Sequence, residues 1–80
     1  MSLEENISVV FRQTLELSDE VDLRAVSYRS IPEWDSVAHM ALVAALEDQF
    51  DVMFETEDIL ELSDLSKAVG ILGRLGASDE

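Results

Sequence analysis

Trp34-Asp35-Ser36-Val37-Ala38-His39-Met40-Ala41-Leu42-Val43-Ala44-Ala45-Leu46-Glu47-Asp48-Gln49-Phe50-Asp51 is the stretch on which the reading of this chain turns. It contains no glycine or proline, and its Ala, Leu and Met favour helix. It is therefore expected to form one helix of about four to five turns, opened by Asp35 or Ser36 as N-cap. At about 100° per residue the apolar side chains separate into two stripes, where an amphipathic surface helix shows one. Leu42, Val43, Leu46 and Phe50 share one side and have the spacing of a core stripe. Val37, Met40 and Ala44 share the opposite side, which runs on into Glu47, Asp48 and Asp51. A small bundle buries only one of these faces. The other is expected to be an exposed apolar strip ending in a carboxylate cluster, suited to docking a partner. Ser36 stands where free backbone N–H groups and the positive end of the helix dipole favour an anion, so a phosphate on its oxygen would be stabilised there.

Upstream, Leu3 to about Leu15 keeps helical spacing through Leu3, Ile7, Val10, Phe11 and Leu15, with a capping box from Ser2 and Glu5. The connection from Leu17 to Glu33 is long for so small a chain, which suggests a functional loop or one holding a short turn of helix, expected at Ser18 to Val21. Leu23, Val26, Tyr28 and Ile31 should anchor it over one end of the bundle, and Pro32 ends it. Downstream, Thr56 is the expected cap of a short third helix. The acidic run Glu55, Glu57, Asp58 and Glu61 reads as a solvated face, because it lacks the glycine and spacing of a calcium loop. Ser63 or Asp64 caps a last helix with the stripe Leu65, Ala68, Val69 and Leu72 and with Ile71 on its flank. Gly73 and Gly76 should stop that helix, and residues 77–80 should fray.

The expected architecture is all-α: a four-helix bundle of three principal helices plus one short one. Its expected core comprises Ile7, Val10, Phe11, Leu15, Tyr28, Leu42, Val43, Leu46, Phe50, Ile59, Leu65, Val69 and Leu72. Eighty residues point to a single domain, and a 48% hydrophobic share is ample for a compact fold. The absence of cysteine removes disulfides, thiolate catalysis and cysteine-ligated metals, so any thiol would have to arrive on a prosthetic group. Eighteen acidic against five basic residues, a formal net charge of −13, disfavour nucleic acid and anionic membranes and favour partners with basic patches. The apolar run Met40 to Leu46 is far shorter than the roughly 20 residues of a membrane span, and Ser2-Leu3-Glu4-Glu5 lacks the basic start of a signal peptide. A cytoplasmic monomer without membrane insertion is the expectation.

Asp35-Ser36-Val37, followed in register by Leu42, Val43, Ala45, Leu46, Glu47, Asp48 and Phe50, resembles the acyl carrier protein family. The resemblance runs roughly from Ile7 to Leu72, and motif, helix pattern, length and charge agree. It implies an acyl-carrier-like bundle whose Ser36 carries phosphopantetheine through a phosphodiester. Asp35 would help a magnesium-dependent phosphopantetheinyl transferase handle the incoming coenzyme A phosphate. The cargo would be an acyl or aminoacyl thioester, presented to loading and processing enzymes of fatty-acid, polyketide or related biosynthesis. Val37, Met40, Ala44, Glu47, Asp48 and Glu57 would form the partner face. Tyr28 occupies the place of an aromatic plug.

Trp34, Ala38, His39 and Ala41 depart from the common fatty-acid carriers, which have glycine near the first position and acids in the following turns, and Val37 replaces the usual leucine. These departures imply a specialised freestanding carrier. Trp34, outside both stripes, is expected to lie exposed beside the arm and to report on loading. His39 invites a general-base reading, but nothing supplies a nucleophile or orienter around it. It lies on the core side of the helix near its start and is expected to be half-exposed there, where it could line the mouth of an acyl pocket. Two rival readings keep the acidity and the helices without the arm: an interaction subunit with the same fold, and an unrelated acidic helical adaptor.

Overall fold

The computed structural model describes residues 2–77. Helix α1 runs Leu3–Leu15, α2 Ser36–Phe50, α3 Thr56–Glu61 and α4 Leu65–Arg74, so the described chain is all-helical with three principal helices and one short one. The expected fraying falls, beyond Ala77, outside the described residues.

The start of α1 follows from its sequence. Ser2 Oγ accepts the Glu5 N–H (3.2 Å) while the Glu5 carboxylate accepts the Ser2 N–H (3.1 Å), and Ile7, Val10, Phe11 and Leu15 face inward. The chain leaves α1 through Glu16 in the left-handed region (φ 55°), and the Arg12 side chain then folds over the connection. The Arg12 guanidinium donates to the carbonyls of Ser18 (2.5 Å) and Val21 (3.0 Å). The turn expected at Ser18 to Val21 forms as a single hydrogen-bonded turn, the Val21 N–H donating to the Ser18 carbonyl (3.2 Å), and the helical turn of the loop lies just beyond it at Leu23–Ala25, a 3₁₀ turn capped by Asp22. Leu23 and Val26 are buried and Tyr28 and Ile31 partly so. The Tyr28 N–H donates to the Ser63 carbonyl (2.8 Å), which pins the long loop to the α3–α4 connection.

The core along α1, α2 and α4 contains most of the expected residues. Tyr28, Phe50, Ile59 and Val69 are only partly buried, whereas Trp34, Phe54, Leu62, Ala68 and Ile71 are buried in addition. Two termini also differ from expectation. Glu55, not Thr56, caps α3, because its N–H is taken by the Asp58 carboxylate three residues on (3.0 Å). Gly73 lies inside α4, which Asp64 opens through the Lys67 N–H (2.8 Å), and the left-handed turn falls at Gly76 (φ 88°).

Helix α3 is held mainly by polar ties. Its buried residue is Asp58, at 3% exposure, and Ile59 is only partly buried. The acidic run is therefore not wholly a solvated face. Asp58 turns inward, receives the Glu55 N–H, and pairs with Arg74 of α4. The Glu55 N–H holds the Asp58 carboxyl below its ordinary value, burial opposes this, and Arg74 adds to the lowering. A lowered folded-state pKa means stabilisation that is complete above the unfolded value near 3.8 and is lost as pH falls through the folded value. The Glu5 carboxyl, lowered by the Ser2 N–H, acts in the same sense. The melting temperature is thus expected to rise from pH 7 to about 5.5 as protons relieve self-repulsion, then to fall below about pH 4. A melting curve that keeps rising to pH 3 would show that the Asp58 tie contributes nothing.

Candidate functional site

Asp35 caps α2, its carboxylate accepting the Ala38 N–H at 2.8 Å and its carbonyl the His39 N–H at 2.8 Å. Ser36 is the first residue inside the helix, and its side chain is exposed. Of the two residues expected as alternative N-caps, the structure gives that work to Asp35. The segment leading in is a tight sequence of turns. Arg29 adopts φ 66°, its N–H donates to the Trp34 carbonyl (2.9 Å), and Ser30 Oγ bonds both the N–H (2.8 Å) and the carbonyl (2.7 Å) of Ser27. These turns leave an open cleft of about 360 Å³ lined by Arg29 to Pro32, Trp34 and Asp35, the residue before Ser36.

Trp34 and His39 reverse two expectations. The indole is fully buried (0% exposed) and meets Phe11 edge to face at 5.4 Å, so it does not lie beside a surface-borne arm. His39 is 7% exposed and hydrogen-bonded through both ring nitrogens. Trp34 Nε1–H donates to Nδ1 (3.0 Å), and Nε2 lies 2.9 Å from the Ile59 carbonyl. An indole N–H can only donate and a carbonyl can only accept, so these partners select the Nε2–H tautomer. The Tyr28 ring lies 4.6 Å from the imidazole. This is a packed structural histidine without nucleophile or substrate space around it. Pairing two buried polar groups, each of which would cost about 1–3 kcal/mol if left alone, explains why Trp34 turns inward.

Down α2 from Ser36, Val37 (79% exposed), Met40 (52%) and Ala44 stand on one exposed face. Ala44 continues into a depression of about 350 Å³ that it shares with Glu47, Asp48, Asp51, Val52 and Met53, so apolar and acidic groups meet there. Met53, a residue sequence reasoning did not place on this face, is exposed in the same depression. Glu47 is half-buried, and its carboxylate accepts the Phe54 N–H (2.7 Å), fastening the turn after α2. Asp48 and Glu57 are exposed. Because Met40 is outside the core, Met40→Ala is expected to lower unfolding free energy by clearly less than the 2–5 kcal/mol of a buried methionine. A urea titration showing a loss of several kcal/mol would put Met40 back in the core.

The solution NMR structure of a holo acyl carrier protein from Geobacter metallireducens matches this chain with a TM-score of 0.78 at 24% sequence identity, over 94% of this chain and 86% of that one. The chain therefore shares the fold of an acyl carrier protein. No protein-family model matches the sequence, and no curated protein matches it significantly.

Proposed function

We propose that this chain is an acyl carrier, loaded at Ser36 with phosphopantetheine and carrying acyl or aminoacyl thioesters to partner enzymes. The observation that carries the reading is the exposed Ser36 at the head of α2, with the adjacent Asp35 already holding the cap, in a fold shared with a holo acyl carrier protein. In loading, Ser36 Oγ attacks the pantetheine-side phosphorus of coenzyme A and the pyrophosphate bond breaks. The nucleotide half of coenzyme A departs, and the hydroxyl proton passes to the transferase. The resulting phosphodiester stands at the positive end of α2. The protein performs no bond chemistry of its own, and tethering makes each delivery quasi-intramolecular.

Val37, Met40 and Ala44, with Asp48, Glu57 and the partly engaged Glu47, form the partner face in this reading, and basic patches on cytoplasmic biosynthetic enzymes are its complement. Intact mass after co-expression with a phosphopantetheinyl transferase tests the proposal. A gain equal to the prosthetic group supports it, and an unchanged mass favours an interaction subunit that keeps the fold without the arm.

Loading rates should fall with added salt, since charges screen over about 10 Å at 0.1 M. Asp48→Lys should slow loading without lowering the melting temperature. Glu47→Lys should slow loading and also lower the melting temperature, because that carboxylate holds the Phe54 N–H. Loading indifferent to salt and to Asp48→Lys would leave this face as ordinary solvated surface.

A further inference from the structure

We propose that His39 is a latch that bars cargo from the space between α2 and α3, so that this carrier handles short or polar acyl groups held on its outside; the inference rests on the carrier reading above. His39 stands three residues, about one helical turn, after Ser36 on the inward side of α2, so the seam it closes against α3 lies within reach of a chain folding back from an arm on Ser36. Its Nε2–H donates to the carbonyl of Ile59. That carbonyl lies in the last turn of α3, which ends at Glu61, and is one of the terminal carbonyls a helix cannot satisfy for itself. His39 therefore does two things at once: it completes the hydrogen bonding of α3 and closes the seam between α2 and α3.

Behind the latch the space is already filled. Trp34 is wholly buried and bonded to the other ring nitrogen, Tyr28 lies against the imidazole, and Leu42, Leu46 and Leu62 have no more than 1% of their surface exposed. An acyl chain entering here must lift α3, strip His39 from Ile59 and leave a buried donor and acceptor unpaired. The return is the burial of its methylenes, which grows with chain length and is smallest for short or polar groups. A cargo of those classes gains least from entering. His39 thus sets an entry threshold that a plain aliphatic side chain at this place would not.

The test loads the full chain with acetyl- and octanoyl-phosphopantetheine from the corresponding coenzyme A thioesters and verifies each by intact mass. Methyl NMR shifts of Leu42, Leu46 and Leu62, the Trp34 emission, and the rate of thioester cleavage by hydroxylamine are then compared. In the wild-type chain the octanoyl form should match the acetyl form in core shifts and emission, and its cleavage rate should agree within about a factor of two. His39→Ala carrying the octanoyl group should shift those methyls and the indole emission relative to the same variant carrying the acetyl group. The wild-type pair decides the matter even if that variant folds poorly. Octanoyl-dependent shifts at the three leucines, with slowed cleavage in the wild-type chain, would overturn the latch while leaving the carrier reading intact. A chain that takes up no prosthetic group at all would remove both.

Discussion

Replacing Ser36 by alanine is expected to abolish prosthetic-group attachment completely while leaving the bundle folded. The nucleophilic oxygen is gone, and no other serine or threonine stands exposed at the head of a principal helix immediately after the capping aspartate. The stability change should be small, because the cap hydrogen bond belongs to Asp35 and not to Ser36. Asp35→Ala supplies the contrast: loss of an N-cap costs about 1 kcal/mol, which lowers the melting temperature of a domain this size by several degrees without unfolding it. Intact mass and a thermal melt on the two variants separate the roles. Attachment detected on Ser36→Ala would overturn the site assignment, and a larger melting loss for Ser36→Ala than for Asp35→Ala would return the cap to the serine.

Trp34→Ala should produce the largest loss of stability of any single change. A buried aromatic truncated to alanine typically costs about 3–5 kcal/mol, and here the substitution also leaves the acceptor Nδ1 of His39 without its donor. Small domains hold only about 5–15 kcal/mol in total, so the variant should be largely unfolded at physiological temperature. Trp34→Phe divides the effect, retaining most of the apolar volume and the contact with Phe11 while deleting the N–H. Its expected cost in urea unfolding is about 1–3 kcal/mol, the penalty of an unpaired buried acceptor. A Trp34→Phe protein as stable as the wild type would mean that the indole–imidazole bond contributes nothing.

Much of this protein was legible along one strand of text. The spacing of Ile7, Val10, Phe11 and Leu15, and of Leu42, Val43 and Leu46, is local and repeats with the helical period, and so the principal helices and most of their inward faces followed from sequence. The capping box of α1 and the Asp35-Ser36 start of α2 were readable for the same reason: each involves residues within about one turn of each other. The exposed face of Val37, Met40 and Ala44 followed by exclusion, since one helix in a small bundle cannot bury two opposite stripes.

What tertiary structure alone decided is the fate of polar groups whose partners lie far along the chain. His39 falls on the core side of α2 by its spacing from Leu42, Val43 and Leu46, but Trp34 lies before the helix and carries no periodic signal that would place the indole inside. The donor and acceptor that make burial tolerable come together only when α3 brings the Ile59 carbonyl, 20 residues away, against the imidazole. Asp58 reads as one more acid in an acidic run until Arg74, 16 residues on, turns to meet it. Arg12 likewise fastens the Ser18 to Val21 turn to α1 by donating to two carbonyls of the loop, while the 3₁₀ turn forms further on at Leu23–Ala25. Hydrophobic periodicity reports which face of a helix leaves water. It carries no information on which distant donor will meet which acceptor, and in this small acidic bundle those pairings set where α3 sits and what lies beneath Ser36.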